Sequence, residues 1–551
     1  MSKDKTAFIN GRIFTGLEEV EAILVEGNKV SITGPTSLIL QMIGDPKTSS
    51  VQIVDLKGKR VIPGFVDSHN HVLAACDLLE GVNCFGLKSI EEVKEAVARK
   101  AQEKEKGEWI TGAGWIESQF EEKRMINRYD LDEAAPDNPV CLSRLFGLSS
   151  VNSKALEAAG IGRGFVPTAG RVELDEHQEP TGIIREAAQG LITQVIRAHE
   201  TEPSQEILER RILLVLNELL RYGVTSILDP GIAGDVMRAY ASLWVQKKLP
   251  MRVSAMPTWH GKSVIQGEYL VNPIVEAGLQ PGFGDSWFRL GNLKMAIDGG
   301  LGTKTAMMHE PFVDGTRSTI PARVDLNQLG DYISNAHLLG WGVGVHCCGD
   351  LAQDICLAHM VDAISKRNPL PYHRHHIIHG YLPTPYALKV MSDYDIGISL
   401  QPGFIYVEGD VYPQAIPEEK FFHFKPAKTY LNQGIKVAIN TDVPSGPYNP
   451  FVTLYGAVAR KTMGGLDFGK DEALTAKEAV QCFTQGGAYL AYRDKECGGL
   501  AEGKYADMAV LDRDIFEIDP EELLETKALA TIIGGQFVYV ADDAPNEWKL
   551  T

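Results

Sequence analysis

Basic residues are in short supply. Lys and Arg number 54 against 72 Asp and Glu in 551 residues, a formal charge of -18. Nucleic acid needs a basic face for its phosphates, and anionic lipid needs the same, so neither partner class is expected. Cysteine is scarce as well: eight residues, scattered, with no CxxC pair. That excludes a disulfide framework or a zinc ribbon and fits a reducing compartment. No stretch approaches the ~20 uncharged apolar residues of a membrane span. The opening MSKDKTAFINGRIF also lacks the apolar core of a signal peptide. A cytoplasmic chain is therefore expected. What is present is ordinary for a globular protein: 44% hydrophobic and 23% charged residues, enough for a sizeable core. Length suggests about three or four domains, or one large barrel with attachments.

The segments TAFINGRIFTG, AILVEGNKVSITG and VQIVDLKGKRVIPGF read as short strands joined by turns. ADMAVLD and ATIIGGQFVYV read the same way near the other end. Residues 1–60 and 490–551 are thus expected to form one composite β-sandwich domain. Between them, over 61–489, short apolar strands alternate with amphipathic stretches such as LGDYISNAHLLG and PYALKVMSDY. Strand candidates lie at 60–68, 223–229, 251–257, 288–297, 341–346, 375–379, 395–401 and 435–441. Eight such strands with intervening helices predict an α/β fold, a (β/α)8 TIM-type barrel, with an open doubly wound sheet as the alternative. Residues from about 85 to 205 break the repeat and read as an insertion after the first barrel strand.

Catalysis in such barrels is built at the C-terminal ends of the strands. Strand one ends PGFVDSHNH, and alternation places Asp67, His69 and His71 on one face, where two imidazoles can grip one ion. In LKMAIDGG, Lys294 lies among apolar neighbours, with Ala296 and Asp298 on its face. A buried lysine needs a paired or altered charge. An ion pair with Asp298 is one answer; carbamylation, which turns the amine into an anionic oxygen ligand, is the other. GWGVGVHCCGD puts His346 at a rim above two glycines; the adjoining Cys347 and Cys348 could offer thiolates to a metal, but neighbours point to opposite sides of a strand and both read as ordinary packing. In HRHHIIHG, alternation has His375 and His379 facing together, and His379 is the ligand candidate. GIKVAINTDVP ends in Asp442, a carboxylate able to bind metal and take a proton from water. Trp115, Arg144, Glu186, Asp298 and Gln401 are candidates for substrate contact or for structural roles. Phe404, Tyr406 and Phe421 could line an apolar pocket or form loop core.

With these residues in place the chain resembles the amidohydrolase superfamily, in its amidohydrolase family 3 (YtcJ-like) branch, which includes N-substituted formamide deformylases. The motifs run along nearly the whole chain: INGRIFTG, PGFVDSHNH, GWI, LDEAAPDNPVCLSR, VNSKAL, PTGIIRE, LKMAIDGGLGTKTA, VHCCGD, NTDVP and GLAEGKYADMAVLD. The resemblance implies a metal site of His69, His71, Lys294, His346, His379 and Asp442. It implies one or two divalent ions, zinc the first expectation, with carbamylated Lys294 bridging two. It also implies a metal-dependent hydrolase that cleaves a C–N bond other than a peptide bond, with Asp442 as general base and acid. A mononuclear deaminase, a lyase or isomerase, and a non-catalytic regulatory protein are the rival readings. The expected partners are a small-molecule substrate and, in a homodimer, a second copy. Two departures stand out: Leu148 where the family commonly has His, and Ile378 where it often has Glu.

Overall fold

The computed structural model describes residues 5–44, 50–144, 148–168, 170–185, 188–199, 203–232, 234–259, 273–318, 326–366 and 372–550. Glu186 lies outside them. The chain falls into two compact units, one of Met1–His71 with Leu216–Thr551, the other Val72–Val215. The second therefore begins earlier and ends later than the 85–205 insertion expected from sequence.

In the first unit nine short strands run parallel in two sheets. One sheet holds β1 (Phe65–Asp67), β2 (Val224–Ile232), β3 (Arg252–Pro257) and β4 (Phe288–Leu290), paired in that order. The other holds β5 (Leu293–Ala296), β6 (Val343–Cys347), β7 (His376–His379), β8 (Gly397–Leu400) and β9 (Val437–Ile439). Helices Gly234–Val245, Leu326–Leu338, Asp350–Lys366, Pro385–Asp393 and Ala427–Asn432 fall between successive strands. That alternation is what a parallel sheet requires, since each return needs a crossover. Local chemistry sets the ends: Thr384 caps Pro385–Asp393 by accepting from the Ala387 amide, and Pro385 opens the helix where no amide is needed.

Two expected strands divide. The 288–297 candidate breaks at Gly291 and Asn292 into β4 and β5. The 60–68 candidate breaks at Gly64: Arg60–Pro63 joins the strands of the chain ends, and β1 joins the parallel set. A side chain at Gly64 would sit 2.2 Å from Thr225 Cγ2. Only glycine lets the chain pass between the two sheets there.

The chain ends contribute two more sheets. One is ordered Lys29–Gly34, Ala22–Glu26, Lys5–Ile9, Gln52–Asp55; the other Gln536–Val540, Ala528–Ile533, Met508–Leu511, Arg60–Pro63, Arg12–Phe14, Glu19–Val20. Met508–Leu511 pairs antiparallel with Arg60–Pro63, so strands from both ends share a ladder. Phe8, Val25 and Val54 pack with Met508, Ile532 and Trp548 in one core. The second unit carries its own six-stranded sheet with cores around Trp115 and around Val151. Among the described residues, no helix is long and apolar enough to cross a membrane.

Candidate metal centre

The interior of β5 and the ends of β1, β6, β7 and β9 deliver six chemically distinctive side chains to one place. After β1 the chain leaves extended geometry, and His69 and His71 turn toward Asp442, with their Nε2 atoms 3.7 and 3.5 Å from its Oδ1. Backbone bonds fix this junction: the Asp442 amide donates to the His69 carbonyl at 3.0 Å, and the His71 amide to that of Val443 at 3.0 Å. Asp67 ties it again by accepting from the Thr441 hydroxyl at 2.6 Å and amide at 3.1 Å. Lys294, from β5, places Nζ 3.2 Å from His69 Nε2. His346, at the end of β6, has Nδ1 2.9 Å from His379 Nε2. His379 Nδ1 lies 3.9 Å from Asp442 Oδ2, which links the two halves.

Strand alternation alone misplaces His379. Extended geometry would keep it on the face of His375, and His375 points away to His337, 3.0 Å between ring nitrogens, and accepts from the Val343 amide. His379 instead has φ +79°, and Asp442 has φ +53°. Left-handed backbone at non-glycine residues is costly and collects at functional sites. Here it swings both side chains inward.

Burial governs the electrostatics. His69 and His379 are pushed well below their ordinary value, and His71 to about 3, first by desolvation and then by neighbouring positive groups such as Lys294 for His69 and His71. Neutral imidazoles keep the lone pair that a metal needs. Their orientation is also fixed: His71 hydrogen-bonds the Pro230 carbonyl, and His379 Nδ1 donates to Gln401 Oε1 at 2.7 Å. Gln401 is itself aligned by donating to Ser399 O and Asn440 Oδ1. Burial raises the Asp442 carboxyl to about 7, with Lys294 and Lys425 opposing. The donors fall into two ion-sized groups, His69–His71–Asp442 and His346–Cys348–His379, each within 4.8 Å. A set of imidazoles, a carboxylate and a thiol fits a divalent ion.

Of the proposed substrate contacts, Gln401 serves as the partner of His379. Asp298 is buried and accepts from the amides of Met307, Cys348 and Gly349 at 2.8–2.9 Å, so it pins the backbone after β6. Trp115 and Arg144 belong to the second unit. Trp115 is fully buried, stacks on Phe120 and donates to the Leu142 carbonyl, which makes it a packing residue. Arg144 forms a two-pronged pair with Glu117 at 2.6 and 2.8 Å. Leu148 and Ile378 are buried in apolar cores. Tyr406, half-buried in the helix Gly403–Glu408, packs on Tyr455, Phe421 stacks on Phe468 in the core, and Phe404 lies under Lys425. Cys348, read from sequence as packing, and Lys425, not singled out there, both lie at the site. Cys348 does not simply pack, since its Sγ is 3.5 Å from His346 Nε2. Lys425 is fully buried beside the site. A lysine in a loop after FFHF carries no pattern that distinguishes it from an exposed one.

The amidohydrolase family model matches residues 52–539. The chain is 31% identical to the Bacillus subtilis (strain 168) protein YtcJ over 97% of this chain and 99% of that one. It is 28% identical to an N-substituted formamide deformylase of Arthrobacter pascens, covering 94% and 95%. Among solved structures, a metal-dependent hydrolase from Pyrococcus horikoshii OT3 superposes with a TM-score of 0.72 at 27% identity, covering 94% and 99%.

Proposed function

This chain belongs to the amidohydrolase family, and from that premise we propose a metal-dependent hydrolase that cleaves a C–N bond other than a peptide bond in a small molecule. The bond is of amide, formamide or carbamate type. One observation carries the reading: four imidazoles, an amine and a carboxylate from five strands converge, with burial holding His69, His71 and His379 in the neutral form. His69, His71 and Asp442 would hold one divalent ion and His346 and His379 a second, and the N/O donor set suits zinc. Such ions supply Lewis acidity and make water a nucleophile near neutral pH.

The protein's own groups do the rest. Lys294 Nζ stands 3.2 Å from His69 Nε2, and carbamylated there it would offer an anionic oxygen to the metal site. Asp442 takes the proton of the attacking water and returns it to the leaving amine. Gln401 and the Pro230 carbonyl hold His379 and His71 in the tautomer that turns Nε2 to the ion.

We read the two parallel sheets as arcs of one (β/α)8 barrel, supported by the Thr258–Lys294 bridge and by the bonds joining the ends of β1 and β9. The sheets of residues 1–60 and 490–551 read as one β-sandwich and 61–489 as the barrel domain. A cytoplasmic homodimer completes the proposal. The test is turnover: protein purified without chelator and given bicarbonate is assayed against N-substituted formamides, amides and carbamates. Hydrolysis that stops with chelator and returns with zinc supports the reading. Metal-loaded protein inert to the whole panel contradicts the C–N assignment.

A further inference from the structure

Lys425 presents a physical problem. Its side chain is fully buried, its ammonium lies 3.6 Å over the Tyr381 ring and 4.8 Å over that of Phe404, and no ion pair to it occurs among the described residues. Its hydrogen bond to Gln401 Oε1 is long, at 3.5 Å, and that oxygen is already taken by His379. Ring faces are weak compensation for a desolvated charge. Burial lowers its amine to about 7, opposed by the charges of Cys348, Glu408 and Asp442, so an anion formed beside it would favour the ammonium.

Cys348 lies where that charge would appear. Its sulfur, buried, is 3.5 Å from His346 Nε2, and its ligand atom and those of His346 and His379 all lie within 4.8 Å of one another. Nitrogen and sulfur on one tetrahedral ion, at about 2.0 and 2.3 Å from it, stand roughly 3.5 Å apart. Burial holds the Cys348 thiol well above its ordinary range; the Lys425 charge and the Tyr381 hydroxyl, a hydrogen-bond partner of the same sulfur, oppose it. The backbone at Cys348 is held by its amide bond to Asp298.

We propose that Cys348 is a thiolate ligand of the ion at His346 and His379, and that Lys425 and Tyr381 are the positioning residues that balance its charge. The sulfur gives an electron pair to the ion, the S–H bond breaks, and the proton leaves to solvent. The inference rests on the metal-centre reading above and deepens it: the second group is a mixed His2Cys site and the first a His2Asp site. That asymmetry makes the second group the softer one, favouring zinc or cobalt over manganese or magnesium.

The test uses the full-length protein, stripped of metal and titrated with cobalt(II) alone, with bound cobalt measured by elemental analysis. Expected is a near-ultraviolet thiolate-to-cobalt charge-transfer band, kept in Cys347→Ala, lost in Cys348→Ala, and accompanied in that variant by at least tenfold weaker cobalt binding at the second group. Cys348→Ser, close in size, gives the same answer if the alanine variant fails to fold. In Lys425→Met the band is expected to form only at higher cobalt concentration. Bound cobalt without the band in the wild-type protein overturns the inference and leaves the metal centre standing. A band unchanged in both Cys348 variants also overturns it. If no cobalt binds, the metal-centre reading and the inference fall together.

Discussion

Gln401 makes no contact with the proposed ions, yet the chemistry depends on it. It accepts the Nδ1 proton of His379 and is fixed in turn by Ser399 and Asn440, so the ring has one orientation and one tautomer. Removing such a partner usually costs 10–100-fold in metal affinity or activity. Gln401→Leu should therefore bind zinc about 10–100-fold more weakly, as read by competition with a chromophoric chelator, with the fold intact by circular dichroism. Protons act at the same scale. His69, His71 and His379 bind protons far less readily in the folded chain than at their ordinary value of 6.5. As pH falls below 6.5 the unfolded chain takes up protons these rings refuse, so stability is lost from about 6.5 down toward 3. Asp442, raised from 3.8 to about 7, has the opposite sign: its contribution is present below 3.8 and is lost as pH rises through 7. Buried Asp67 is raised as well, but His373, His375 and His376 are lowered too, so six imidazoles outnumber two carboxyls. The Tm of the metal-free protein should climb between pH 4.5 and 6.5; a flat or falling profile would show that the rings are not held neutral.

At the scale of elements, strand positions were legible because buried parallel strands are short apolar runs with glycine or proline at their ends, as in GIKVAINTDVP. The candidate ligands near those ends are legible from their order along the chain together with the family resemblance. Three things were not legible. The swing of His379 depends on a positive φ, which no periodicity reveals. The roles of Cys348 and Lys425 depend on loops converging from β6 and β8. The break of one apparent strand into two at Gly64 depends on the approach of Thr225. This last point is testable. A methyl at Gly64 would meet Thr225 Cγ2 at 2.2 Å and Oγ1 at 2.3 Å. Overpacking of this kind costs about 1–3 kcal/mol, so Gly64→Ala should unfold at lower denaturant with an unchanged slope, and Gly64→Ala with Thr225→Ser should recover part of the loss.

Across the whole molecule, the chain ends are tied to the parallel strands by buried charge. Arg252, at the start of β3, makes a two-pronged pair with Asp507 at 2.6 and 2.9 Å, and Tyr505 covers the guanidinium at 3.9 Å. Asp507 also accepts from the Gly534 amide. Breaking such a pair strands a desolvated charge and costs about 3–5 kcal/mol. Asp507→Asn should lose about that much in chemical denaturation, whereas an equal change at the exposed Lys5–Glu26 pair should lose well under about 1 kcal/mol. The C-terminal sheet is thus tied to β3, while the six residues proposed as the metal site come from five other strands and the turns after them. Their convergence is the central claim, and metal content per chain tests it most directly, by elemental analysis of protein purified without chelator and with bicarbonate present. The account predicts two ions per chain in the wild-type protein and one in Lys294→Ala; protein that carries no metal, or one ion in both forms, would contradict it.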